Sequence, residues 1–174
     1  RYICTVQLWN AYCVDRGIYW LEQTRSSKKQ YSNQWVCVKQ GTCQGRLIGG
    51  NLNTMEGFFG IEYMPIINKG DILFIEDAEK DAYTIERSFS LLKLAGVFDK
   101  VSGIILGKHE KFDDNGTGRK PYEILLEVIG DTSIPILAEF DCCHTHPMLT
   151  IPIGCEVLLD ATNKKIILME DPLN

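Results

Sequence analysis

The sequence predicts an α/β domain with a mixed sheet or small barrel. Three observations carry this. Short apolar, β-branched runs alternate with stretches of helical spacing between residues 46 and 138, glycine or proline stands at the ends of these segments, and the chain closes on two apolar runs around a polar turn. Alternation of strands and helices favours parallel strands joined by crossover helices, whereas a terminal hairpin adds antiparallel pairing. With 174 residues, 45% hydrophobic and 24% charged, the chain matches one globular domain able to bury a core without staples.

The first fifty residues predict irregular loop and short elements. They hold all three tryptophans (Trp9, Trp20, Trp35) and a polar run from Gln23 to Gln30, and no period of 2 or 3.6 persists. Long loops of this kind are often lids or binding loops. Arg46-Leu47-Ile48 is a short apolar run stopped by Gly49-Gly50, after which Asn51 or Asn53 can cap a short helix. Asp71 to Ile75 reads as a strand ended by Glu76-Asp77. Tyr83 to Ala95 places Ile85, Phe89 and Leu92 on one helical face, with Gly96 as the stop. Val101 to Leu106 is a second buried strand. Pro121 opens a helix that runs to Gly130, and Ile134 to Ala138 forms a third strand. Glu156–Leu159 and Lys165–Met169 flank a turn and predict a hairpin.

Composition excludes several classes of function. A net charge of −5 argues against a nucleic-acid partner, because a phosphate binder presents a basic face. No apolar stretch approaches the ~20 residues of a membrane span, and no basic-then-apolar leader opens the chain. Arg1 in place of methionine predicts a processed or shortened chain. Seven cysteines without a C-x-x-C pair predict reduced thiols in the cytoplasm, most of them packed as small apolar groups.

Two polar clusters follow predicted strands: Glu76-Asp77, and Asp141-Cys142-Cys143-His144-Thr145-His146. Ligands in α/β sheets sit beyond the carboxyl ends of strands, and neighbouring parallel strands would bring these clusters together. A carboxylate beside an imidazole fixes its tautomer and stabilises its cation, which is the orienter–base half of a nucleophilic triad. An ordinary network of ion pairs and caps at loop ends would look the same in sequence. His144 and His146 also have metal-ligand spacing, but partners are too few, since His109 is the one further histidine. Gly116-Thr117-Gly118-Arg119-Lys120 lacks phosphate-loop spacing and predicts a polar turn. No serine sits in a nucleophile elbow.

Several runs together resemble the LD-carboxypeptidase family of serine peptidases: Gly45-Arg46-Leu47-Ile48-Gly49-Gly50-Asn51-Leu52, Gly70 through Asp77, Ile85-Glu86-Arg87-Ser88-Phe89, Gly103 through Gly107, and His144 followed by Ile151-Pro152-Ile153-Gly154. The resemblance spans roughly residues 35–170. Gly49 through Met55 and Asp141 through Pro147 point within it to the microcin C self-immunity branch. It implies a swivelling β/β/α-type C-terminal domain over residues 45–174, preceded by an interdomain linker or loop remnant over residues 1–44. The family's serine and oxyanion hole belong to a separate N-terminal domain, and its order is Ser…Glu…His. The glutamate matches Glu76. The histidine matches His144, eight residues before Pro152, with His146 as a neighbour.

The resemblance further implies a small peptide or peptide–nucleotide substrate, no metal or other cofactor, and a homodimer. Lys80, four residues beyond Glu76, suits a substrate carboxylate and favours an aminoacyl-nucleotide over a muropeptide. Trp20, 56 residues before Glu76, either stacks on adenine or plugs a domain or dimer contact; Asn51 either lines the site or caps a helix. With the serine upstream, this chain alone is expected to be inactive. The remaining alternatives are a cell-wall LD-carboxypeptidase, a non-catalytic binding or dimerising module, and a metal hydrolase.

Overall fold

The computed structural model describes residues 3–5 (backbone only), 34–142, 144 and 148–172. The elements run β1 (Ile3–Thr5), β2 (Val36–Lys39), β3 (Thr42–Asn51), α1 (Leu52–Glu56), β4 (Ile72–Glu76), α2 (Ala82–Leu94), β5 (Gly103–Gly107), α3 (Pro121–Ile129), β6 (Ile136–Phe140), β7 (Glu156–Asp160) and β8 (Lys165–Leu168). They form one mixed sheet in the order β1-β8-β7-β3-β4-β5-β6-β2. β3, β4, β5 and β6 are parallel neighbours, as the strand–helix alternation predicts. The terminal hairpin pairs antiparallel with the first half of β3, while the second half of β3 pairs parallel with β4.

Several stretches differ from their sequence reading. Residues 36–39 and 42–51, read as irregular loop and short elements with a brief apolar run at Arg46-Leu47-Ile48, form two strands. β3 escapes a pattern reading because Gly45, Gly49 and Gly50 interrupt its apolar alternation. A Cβ at Gly45 would lie 2.1 Å from the Gly70 carbonyl oxygen, and one at Gly49 would lie 1.8 Å from that of Phe74. Close backbone approach therefore demands glycine there. The third predicted strand begins two residues late, at Ile136.

Every residue of β4 and of β5 is buried, as expected of parallel strands covered on both faces. On one face Leu73, Ile75, Ile104, Leu106, Ile136 and Ala138 pack under Ile85, Phe89 and Leu92 of α2 and Ile124 and Leu125 of α3. Asp81 caps α2 by accepting from Thr84 N at 2.8 Å. The other face carries Leu47, Ile72, Phe74, Ile105, Leu137 and Phe140, joined by Trp35, Val157, Leu159 and Ile166.

This second face is concave. β2 and β3 are linked by Gln40 and Gly41 alone, yet stand four strand spacings apart in the sheet order. Four spacings cover about 19 Å in a flat sheet, whereas the three Cα–Cα steps from Lys39 to Thr42 reach only about 11 Å. The sheet must curl toward closure, and Gly41 lies against Pro135 at the foot of β6. A bulge in β6 adds to the bend: Ile105 pairs with Leu137 and Gly107 with Phe140, leaving one extra residue on β6. Glu139 takes up the irregularity at φ 59°, so Leu137 and Phe140 face the same side.

Candidate active site

Along β4, Ile72 and Phe74 face the concave side, and alternation sends Glu76 there too. Its side chain is 2% exposed. Oε2 lies 2.8 Å from His144 Nδ1, and Oε1 accepts from Asn51 Nδ2 at 3.1 Å. An ionised carboxylate only accepts hydrogen bonds, so Nδ1–H of His144 donates and Nε2 is left as the basic nitrogen. The imidazole is 39% exposed. This arrangement can hold a ring in one tautomer and stabilise its protonated form.

Asn51 stands directly across from Glu76 in the β3–β4 register. It is also the N-cap of α1, where Oδ1 accepts from Thr54 N and Thr54 Oγ1 at 3.0 and 2.9 Å. The cap orients the amide, so its nitrogen end turns to the carboxylate. Asp77 does separate work, accepting from Asn53 N at 3.0 Å and from Ala78 N at 2.8 Å. The acidic pair thus splits into one residue for the imidazole and one for the start of α1.

Glu76 and His144 meet, but the strands that lead to them are not adjacent. β5 lies between β4 and β6. The residue of β5 level with the site is Gly107, where a Cβ would stand 2.6 Å from Glu76 Cβ. The missing side chain leaves the carboxylate room on the β5 side.

The segment carrying His144 leaves β6 through Asp141, which is 2% exposed. Asp141 Oδ1 pairs with the Lys108 ammonium, and Oδ2 accepts from Trp35 Nε1 at 3.0 Å. The Asp141 carbonyl accepts from Leu149 N at 2.8 Å, and Cys142 Sγ donates to the Leu149 carbonyl at 3.4 Å. Lys108 and Trp35 were not singled out as site residues in the sequence; a lysine directly after the glycine that ends a strand was the available signal.

Lys80 lies between β4 and α2, partly exposed, with no ion pair to another described residue. Trp20 and His146 fall outside the described residues. Among those described, no three His, Cys, Asp or Glu side chains gather as a metal site. The Gly116–Lys120 segment is a polar turn: Asp114 accepts from Gly116 N and Gly118 N, and Arg119 pairs with Glu86 and Glu127. His109 donates from Nδ1 to the Gly107 carbonyl at 3.2 Å, and its buried Nε2 has no hydrogen-bond partner among the described residues. Burial pushes this imidazole below its ordinary value, against the opposing pull of the Gly107 carbonyl and of Asp77 and Glu76. Burial likewise pushes the Cys43 thiol up, which suits an inert packed group.

The family model of the LD-carboxypeptidase C-terminal domain matches residues 44–159. The chain belongs to the LD-carboxypeptidase family. It is 53% identical over 161 residues to the microcin C7 self-immunity protein MccF of Escherichia coli, covering 92% of this chain and 47% of that protein. The solved structure of MccF in complex with aspartyl sulfamoyl adenosine superposes with a TM-score of 0.86 at 52% identity, over 94% of this chain and 49% of the other. The muramoyltetrapeptide carboxypeptidase of Oxalobacter formigenes superposes with a TM-score of 0.65 at 30% identity, over 76% and 47%. The chain therefore spans about half the length of these LD-carboxypeptidase relatives. Among the described residues no helix is long and apolar enough to cross a membrane.

Proposed function

We propose that this chain supplies the glutamate and histidine of a Ser–Glu–His hydrolase that cleaves an amide bond in an aminoacyl-nucleotide of the microcin C type. The carrying observation is the 2.8 Å contact between Glu76 Oε2 and His144 Nδ1. Nε2 of His144 takes the proton from a serine hydroxyl as it attacks the carbonyl, then returns it to the leaving amine. Glu76 stabilises the imidazolium formed between these steps. The serine and the oxyanion donors come from a nucleophile domain of the kind that the other half of the relatives' length accommodates. Without them this chain is inactive, because transition-state charge has no donors to meet it.

Kinship to a self-immunity protein solved with aspartyl sulfamoyl adenosine and with glutamyl sulfamoyl guanosine supports the substrate class. Lys80 meets a substrate carboxylate and Trp20 stacks on the base. The protein works as a homodimer in the cytoplasm; Leu94, 85% exposed, offers apolar surface for such a contact, and the thiols of Cys37, Cys43 and Cys155 suit a reducing compartment.

A chimera tests this reading. The first half of E. coli MccF is joined to this chain in place of its own matching segment, and release of the amino acid from a microcin-type aminoacyl-nucleotide and from a muropeptide is measured. Hydrolysis of the nucleotide substrate, lost in Glu76→Gln and His144→Ala, is the expected result. Preference for the muropeptide would move the assignment to cell-wall peptides. Hydrolysis by the 174-residue chain alone, abolished by His144→Ala, would overturn its dependence on a partner domain.

A further inference from the structure

We propose that Lys108, Asp141 and Trp35 form a clamp that positions His144 against Glu76. This rests on reading Glu76 and His144 as the orienter–base pair. His144 belongs to neither helix nor strand, its ring is partly exposed, and Glu76 is its hydrogen-bond partner among the described residues. A side chain on such a segment keeps its place only if the segment's base is fixed. Asp141, three residues earlier, is that base. Its carboxylate receives the Lys108 ammonium and the Trp35 indole N–H, and its carbonyl receives the Leu149 N–H.

The choice of groups points to placement rather than stability. A buried ion pair adds little over a well-packed apolar replacement, so its retention fits a task in registering parts of the structure. The parts joined here are the relevant ones. Lys108 directly follows Gly107, the residue that makes room for Glu76. Trp35 packs on Phe140, ring centroids 4.9 Å apart, and Phe140 meets Phe74 edge-on at 6.1 Å. Phe74 lies two residues before Glu76 on the same face. Asp141 and the Glu76 carboxylate are therefore both referenced to one aromatic layer. Tight referencing matters because a displacement of about 1 Å at reacting groups can cost roughly 100-fold in rate.

Imidazole NMR on the ¹⁵N-histidine-labelled 174-residue chain tests the clamp, with the three histidines assigned through His144→Gln and His109→Gln. The downfield Nδ1–H resonance of His144, held by Glu76, is the readout, and a cooperative melt checks folding. Trp35→Phe keeps an aromatic ring and removes one hydrogen bond; Lys108→Met removes the charge; Lys108→Arg restores it. The resonance is expected to vanish into solvent exchange in Trp35→Phe and Lys108→Met and to persist in Lys108→Arg. Should Lys108→Met fail to fold, Trp35→Phe decides alone. A resonance that survives in folded clamp variants, yet is lost in Glu76→Gln, would leave the catalytic pair standing and overturn the clamp. Its absence from the unaltered chain would remove the pair itself, and the clamp with it.

Discussion

Gly107 of β5 and Glu76 of β4 lie so close on the concave face that a methyl group at 107 would stand 2.6 Å from the Glu76 Cβ. Both positions sit in buried strands, so neither backbone can yield easily. Gly107→Ala is expected to destabilise the domain by about 1–3 kcal/mol, the usual cost of overpacking. It should also weaken the hydrogen bond to His144. Urea unfolding followed by circular dichroism measures the first effect, and the His144 imidazole resonance the second.

Asn51 carries two duties that substitution can separate. Asn51→Ala removes the α1 cap and the amide donor to Glu76 together, with an expected loss of about 1 kcal/mol. Asn51→Ser retains a capping oxygen but cannot reach Glu76 with an N–H. Its stability should stay within about 0.5 kcal/mol of the parent, while hydrolysis by the MccF chimera falls. Equal rates for Asn51→Ser and the parent would show that the amide does nothing for the carboxylate.

His109 makes stability depend on pH. Its folded-state imidazole lies below its ordinary value because it is buried, so protons bind the unfolded chain first. The contribution is fully present above about pH 6.5 and is lost as pH falls from there, by at most about 1.4 kcal/mol per unit. Asp71 acts in a lower window. Burial pushes its carboxyl up, but the Arg46 guanidinium and Asn68 N–H overcome this and leave it below its ordinary value. That contribution is present above about pH 4 and fades as pH falls further. Melting midpoints from pH 7.5 to 5 should therefore decline, and His109→Phe should flatten the decline without altering the later loss near pH 3.

Glu139 sits at φ 59° in the β6 bulge, and burial pushes its carboxyl up. A left-handed backbone costs a non-glycine residue about 1 kcal/mol or more. Glu139→Gly is expected to stabilise the domain by roughly that amount in urea unfolding. Lower stability would mean that the Glu139 side chain makes a compensating contribution.

Residues that speak through regular spacing were legible. Ile85, Phe89 and Leu92 mark α2, Pro121 marks the start of α3, and the polar turn 160–164 marks the last hairpin. Glu76 and His144 were reachable as charged or imidazole groups just past apolar runs. β3 was hidden, because glycines required by neighbouring carbonyls erase its pattern. Gly107 was also hidden: a residue acting by lacking a side chain leaves no chemical signature, and nothing in the spacing along the chain tells that β5 separates the strands leading to Glu76 and His144. Trp35 and Asp141 meet across 106 positions of sequence, a distance over which no local rule operates.

The short Gln40–Gly41 connection has a consequence for how the molecule comes into being. The strand entering it must travel back to lie against the far margin of the sheet, beside Ala138, Leu137 and Ile136. Such distant partners meet late in folding, since chain closure over a long span precedes any reward. The indole that grips Asp141 sits at the head of that same strand. Seating this final margin and bringing the indole to Asp141 are thus one event.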